Sequence, residues 1–333
     1  MSFSMKTKNE LAREFPESDH CQLAELSALI RMSGTIQLLG SQKVNIQIVT
    51  ENAAIARKIF SLCKKRFHIH TEIRIRKSRL LKKNNHYMIF ISNEAGATDV
   101  LKEVGILKEE DGHRFIDLSI PSEYIREQCC KRAYLRGAFL GAGSISDPEK
   151  TYHLEFVTSS REHGEDLKDL INEFGLNAKI VQRKNNYVVY LKEGDQIVDL
   201  LNIIGAHAAL LDFENIRIMK QLRNNVNRIV NCETANLSKI VNASIRQIEN
   251  IEYIQKTKGF KILPSHLREV AELRLAYKEA SLKELGNLLN PPVGKSGVNH
   301  RLRKIEKIAE KLRESETKGG HCRNDQKKGY RKE

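Results

Sequence analysis

Along residues 1–203 the apolar positions switch repeatedly between a period of about 3.6 and a period of about two, the marks of amphipathic helix and half-buried strand. Residues 1–15 read as a polar amphipathic helix. Residues 23–32 (LAELSALIRM) form an apolar-rich helix closed by Gly34, read as a C-terminal cap. Strands are predicted over 35–39 and 43–50, then a helix over 52–67 with Ala56, Ile59, Leu62 and Cys63 on one face. Residues 71–75 and 86–91 follow as a hairpin whose connection carries Arg76, Lys77, Arg79, Lys82 and Lys83, and 95–104 closes the unit as a short helix.

The order then recurs. Residues 129–142 read as a helix ended by Gly143, 144–145 and 152–158 as strands, and 162–174 as a helix. A second hairpin spans 179–183 and 187–191, and 195–203 is helical again. The two helix-ending glycines, Gly34 and Gly143, lie 109 residues apart. The pattern predicts an internal duplication, each half placing helices on one face of an antiparallel sheet and leaving the other face open.

Beyond residue 205 the strand signal disappears. A long helix is predicted over 206–231, and the Asn-rich segment 223–239 reads as a boundary between domains. Helices follow at 235–253, 265–278, 281–289 and 296–312. The expected organisation is α+β: a duplicated body over 1–230 (halves 1–115 and 116–230), an all-α domain over 231–314, and a charged, disordered tail over 315–333.

Within the all-α part, Ser281-Leu-Lys-Glu284 fits a capping box, and Asn290-Pro-Pro-Val-Gly294 cannot continue a helix. The next helix has an apolar stripe of Val298, Leu302, Ile305, Ile308 and Leu312. Residues 295–313 hold seven lysines and arginines against two glutamates. Two antiparallel helices with a short rigid turn and a basic second helix predict a helix-turn-helix over 281–313. Its candidate DNA contacts are Lys295, Ser296, Asn299, His300, Arg301, Arg303 and Lys304, with the amides of Ser296, Gly297 and Val298 as a phosphate site. A plain helical hairpin with a solvated basic face is the alternative.

Composition supports the same direction. The chain of 333 residues has a net charge of +14, so an anionic partner is expected, although residues 1–230 carry only about a third of that charge. No run is apolar enough to span a membrane or to serve as a signal peptide, so a cytoplasmic protein is expected, and the predicted DNA contacts make it a nucleoid-associated one. Aromatic residues make up 6% and Trp is absent, which argues against single-strand RNA binding by stacking. The cysteines at 21, 63, 129, 130, 232 and 322 form no C-x-x-C pair, so free thiols are expected, with no metal site and no cofactor.

Residues 26–35 (LSALIRMSGT) and 135–144 (LRGAFLGAGS) resemble the paired signature helices of the LAGLIDADG homing endonucleases. The resemblance implies that these helices pack side by side on a pseudo-two-fold axis, with Ala28, Gly137, Gly141 and Ala142 at the contact. A metal-binding acid closes each such helix in the active nucleases. Ser33 and Ala142 stand at the matching positions here, so the resemblance implies that strand cleavage has been lost. Asp147 and Glu149 are the relocated acids that would reopen it. Together with residues 227–236 (NRIVNCETAN) and the ending from Leu263 to Leu312, the whole chain resembles the WhiA family. That likeness implies a non-enzymatic, double-stranded-DNA-binding regulator tied to cell division and chromosome segregation, and to sporulation in actinomycetes. A protein-interaction scaffold at the nucleoid is the rival reading. The sheet face bearing Arg74 and Arg76 is either a cationic surface or a solvated edge.

Overall fold

The computed structural model describes residues 1–40, 43–77 and 85–321, with side chains described through Glu316. They fall into two compact units, Met1–Arg223 and Asn224–Glu333. Among the described residues, no helix is long and apolar enough to cross a membrane.

The first unit opens with α1 (Phe3–Leu11), whose start is capped by the Ser2 hydroxyl accepting from the Met5 amide. Then come α2 (Asp19–Ser33), β1 (Gly34–Leu39), β2 (Lys43–Thr50), α3 (Ala53–Phe67), β3 (Glu72–Lys77), β4 (Asn85–Ile91) and α4 (Ala97–Glu103). A small hairpin, β5 (Leu107–Glu110) and β6 (His113–Ile116), leads into the second copy. This is α5 (Gln128–Ala142), β7 (Gly143–Ile145), β8 (Leu154–Thr158), α6 (Arg161–Asn172), β9 (Lys179–Arg183), β10 (Asn186–Leu191) and α7 (Gly194–Ile204). The expected duplication is present: the sheets run β1-β2-β4-β3 and β7-β8-β10-β9, antiparallel throughout.

Alternation decides which face each sheet buries. In the first sheet Val44, Ile46 and Ile48 of β2 lie under the helices with Ile89 and Ile91 of β4, and Ile46 faces Ile91 across the ladder. In the second, Phe156 pairs with Val189 and Leu154 with Leu191, all buried.

The centre of this unit is the seam between α2 and α5. Gly137 is pressed against α2 so closely that a Cβ would meet the Glu25 carbonyl oxygen at 2.3 Å and the Ala28 Cβ at 3.0 Å. A Cβ on Gly141 would meet the Met32 Cβ at 2.7 Å. The seam keeps the 109-residue repeat, because Ala28 corresponds to Gly137 and Met32 to Gly141. Equivalent positions therefore face one another, as a two-fold axis between parallel helices requires. Arg136 on α5 (Nε, 3.2 Å) and Lys58 on α3 (Nζ, 2.5 Å) both reach the buried Glu25 carboxylate, so the seam also holds an ionic group tying three helices. The Lys58 contact at Oε1 is ionic, without hydrogen-bond alignment.

Gly34 and Gly143 do follow the ends of α2 and α5, but not as left-handed caps. Their backbones are extended, at φ −85° and −76°, so each helix passes directly into a strand. Glycine is needed there for space: a Cβ on Gly34 would lie 2.5 Å from the Ile30 carbonyl oxygen.

The helix α8 (His207–Thr257) runs through the Asn-rich segment without the break expected near residues 232–234. No glycine or proline occurs between Gly205 and Gly259, and asparagine is a moderate helix former rather than a breaker. Phe213 in its first turns belongs to the first core, and Ile251 and Ile254 near its end belong to the second. The second unit is completed by α9 (Ser265–Ala276), α10 (Leu282–Asn287) and α11 (Lys295–His321). The last helix continues past Leu312, where the apolar stripe predicted its end. Residues 322–333 lie outside the described residues, as do Arg79, Lys82 and Lys83 of the first hairpin connection.

Candidate nucleic-acid interface

The capping box forms as expected. The Ser281 hydroxyl accepts from the Glu284 amide at 3.3 Å, while the Ser281 amide donates to the Glu284 carboxylate at 2.7 Å. Leu285 and Leu289 turn inward onto Leu267, Val270 and Ala271 of α9 and onto Val298, Leu302, Ile305 and Ala309 of α11. Ile308 and Leu312 are only partly buried against that core, and Ala309 completes the stripe. The turn folds back on α10 through a Val293 amide donating to the Gly286 carbonyl at 2.9 Å. Gly286 has no room for a side chain, since a Cβ would stand 2.0 Å from the Val293 carbonyl oxygen. Arg274, almost wholly buried, donates to Gln247 Oε1 and to the Ala280 carbonyl at 2.7 Å, fixing the end of α9 before the motif begins.

Helical periodicity sorts the basic residues of α11 around this core. Ser296, His300, Arg303, Lys304 and Lys307 fall opposite the buried stripe, and all are exposed. Lys295 is also exposed, while Asn299 and Arg301 flank the core and are half-buried. Among the described residues no carboxylate pairs with Lys295, Arg303 or Lys304. Arg301 differs: its Nη1 reaches the His266 carbonyl at 3.5 Å, so part of this side chain serves the contact between α11 and α9.

One expectation needs correction here. Of the three amides offered as a phosphate site, those of Gly297 and Val298 donate to the Gly294 carbonyl, at 2.9 and 3.1 Å, because they close the first turn of α11. Gly297 itself is small for an internal reason: a Cβ would meet Val293 Cγ1 at 2.4 Å.

At the C-terminal ends of α2 and α5 the signature positions carry no acid. The Ser33 hydroxyl donates back to the Leu29 carbonyl at 2.8 Å, and Ala142 offers only a methyl group. Asp147 is exposed and spends one oxygen on the Glu149 amide of its own turn, at 3.1 Å.

Residues 226–309 match the family description "WhiA C-terminal HTH domain", 131–223 match "WhiA LAGLIDADG-like domain", and 19–107 match "WhiA N-terminal LAGLIDADG-like domain". A relative in Alkaliphilus metalliredigens (strain QYMF), named "Probable cell division protein WhiA", is 64% identical over 313 residues, which cover 94% of this chain and 99% of its own. This chain belongs to the WhiA family. Its relative of the same name in Alkaliphilus oremlandii (strain OhILAs) is 63% identical over 319 residues, covering 96% of this chain and all of its own. The crystal structure of full-length DUF199/WhiA from Thermatoga maritima matches with a TM-score of 0.57 at 28% identity, covering 93% of this chain and 99% of that one.

Arg74 of β3 is held by Glu72 at 2.8 Å and lies over the Phe90 ring at 5.2 Å, so its charge is answered locally. Ile73 and Ile75 on the other side of β3 are exposed, which makes this strand a solvated edge. In the second sheet Glu155 takes contacts from Ser144, His153 and Arg183, a cluster that spacing along the chain did not single out.

The five described cysteines are free thiols, as expected, but three of them lie together. Cys21, Cys129 and Cys130 converge with His20 at the N-terminal ends of α2 and α5. Local spacing could not reveal this, because the two pairs are 109 residues apart and only the duplication relates them.

Proposed function

We propose that this WhiA-family chain is a non-enzymatic, double-stranded-DNA-binding transcriptional regulator, acting at the nucleoid in cell division and chromosome segregation. In sporulating relatives the same role extends to sporulation. The observation that carries the reading is the outer face of α11. His300, Arg303 and Lys304 stand on a fully packed helix-turn-helix with no carboxylate answering the two cations among the described residues. The second helix of such a motif enters the major groove, where arginine and asparagine read base edges and the later cations meet phosphates. Lys295, Ser296, Asn299, His300, Arg301, Arg303 and Lys304 form the proposed contact set, with Arg301 also bracing the fold.

The non-enzymatic half of the reading is supported by Ser33 and Ala142, since a hydroxyl turned into its own helix and a methyl group supply no anionic oxygen for a hard divalent cation. Incubating the full chain with duplex DNA in the presence of Mg²⁺ tests both halves. Retarded, uncut duplex is the expected result. Cleavage overturns the non-enzymatic reading, and failure to retard any duplex at low salt overturns the DNA-binding one.

A further inference from the structure

The duplication places His20 and Cys21 of α2 in register with Cys129 and Cys130 of α5, since each pair differs by the same 109 residues as Gly34 and Gly143. The seam of the two helices carries these equivalents toward one another at their N-terminal ends, just as it opposes Ala28 to Gly137 and Met32 to Gly141 further along. The His20 ring nitrogen Nδ1 lies 3.0 Å from Cys130 Sγ and 3.4 Å from Cys21 Sγ. All four ligand atoms, one nitrogen and three sulfurs, lie within 4.8 Å of one another.

From this geometry we propose that His20, Cys21, Cys129 and Cys130 form a tetrahedral Zn²⁺ site on the pseudo-two-fold axis, joining the two halves of the body.

Two features of the site fit a thiophilic divalent cation. First, three thiolates and one imidazole are a closed structural zinc set, and zinc bonds of about 2.0–2.3 Å in a tetrahedron put neighbouring ligand atoms about 3.6–3.8 Å apart. The observed arrangement needs only side-chain adjustments of a few tenths of an ångström for the measured pairs. Second, both helices begin without a side-chain cap: neither Ser18 nor Glu127 closes its helix N-terminus with a side-chain hydrogen bond. Two helices of fifteen residues each therefore begin at the cluster without a side-chain cap, and the positive ends of their dipoles favour negative charge there.

The position also separates this site from the nuclease-type metal positions. Ser33 lies thirteen residues along α2 from His20, about 20 Å at the helical rise. The proposed ion is at the opposite ends of the signature helices and is fully coordinated by protein, so its role is structural. His20 and Cys129 are exposed, which leaves a path for loading.

Full-length protein, purified with reductant and stripped by a chelator, is titrated with Co²⁺ as the spectroscopic stand-in for Zn²⁺. The expected result is one Co²⁺ per chain, with thiolate-to-cobalt charge-transfer bands and the intense visible bands of a tetrahedral site, bleached by added Zn²⁺. Cys129→Ser and His20→Ala, both at exposed positions, should lose or displace those bands, while Cys232→Ser should keep them. Three results overturn the proposal: no charge-transfer band in reduced chain that circular dichroism shows to be folded; bands that survive both Cys129→Ser and His20→Ala unchanged; or a Cys21–Cys130 disulfide in chain isolated without reductant that takes up no metal after reduction.

Discussion

Gly137 of α5 rests directly on the backbone of Glu25 in α2, leaving 2.3 Å between a would-be Cβ and the Glu25 carbonyl oxygen. No side chain adjusts to relieve that contact, because the partner is main chain inside a buried helix. Gly137→Ala should therefore force the two halves of the body apart and cost about 1–3 kcal/mol, the range of overpacked cores. Urea unfolding followed by circular dichroism measures it, and a wild-type midpoint would refute the seam as described.

The Glu25 side chain at the same seam answers Lys58 and Arg136, and both Glu25 and Lys58 are fully buried. Glu25→Gln leaves the Lys58 ammonium without a counter-charge, a situation that typically costs about 3–5 kcal/mol. Adding Lys58→Met should recover part of that loss, since the second charge then leaves the interior with the first. The double-mutant cycle in urea reads the coupling directly.

His163 on α6 is buried between the Tyr134 hydroxyl, 2.8 Å from Nε2, and the Thr158 hydroxyl, 3.3 Å from Nδ1. Burial, with a smaller contribution from the Arg31 charge, lowers its pKa to about 3. The folded chain keeps this ring neutral while the unfolded chain protonates it below about 6.5. Stability from this group is thus full above that value and is lost as pH falls from about 6.5 toward 3. Between pH 7 and pH 5 the loss should be about 2 kcal/mol. His163→Gln should flatten that part of the profile, and an unchanged pH slope would contradict it.

The two arginines of α11 should separate in experiment. Arg303 is exposed and has no carboxylate partner among the described residues, so Arg303→Ala should weaken DNA binding and leave thermal unfolding unchanged. Arg301 reaches the His266 carbonyl, so Arg301→Ala should lower both DNA affinity and stability, the latter by about 1 kcal/mol. Anisotropy with labelled duplex, read beside a melting curve, distinguishes them.

Much of this architecture is legible in residue order, and the exceptions have physical causes. Ser281 and Glu284 announce their helix because a capping box is local chemistry, and Val44, Ile46 and Ile48 announce a strand because burial alternates. The hairpin of β5 and β6 has no alternating signal because its strands are short and charged. Its signal was Asp111-Gly112, both with positive φ (48° and 77°), as a tight hairpin turn demands. Gly286 reads as an ordinary helical glycine, since only the folded turn brings the Val293 carbonyl against it. The phosphate-site amides are illegible for the opposite reason: Gly297 and Val298 look like free helix-start donors, but the Gly294 carbonyl accepts from both. Cys21 and Cys130 were invisible as a pair because cysteine spacing is a local rule and a pseudo-two-fold axis is not.

The most direct test of the central claim is DNA affinity across a salt series for the full chain and for the double variant Arg303→Ala, Lys304→Ala. If α11 contacts DNA, the full chain should show a steep loss of affinity with salt, corresponding to about 4–7 phosphate contacts, and the variant a slope shallower by about 2. Identical affinity and identical slope for the two proteins would contradict the account and move the DNA-contacting surface away from α11.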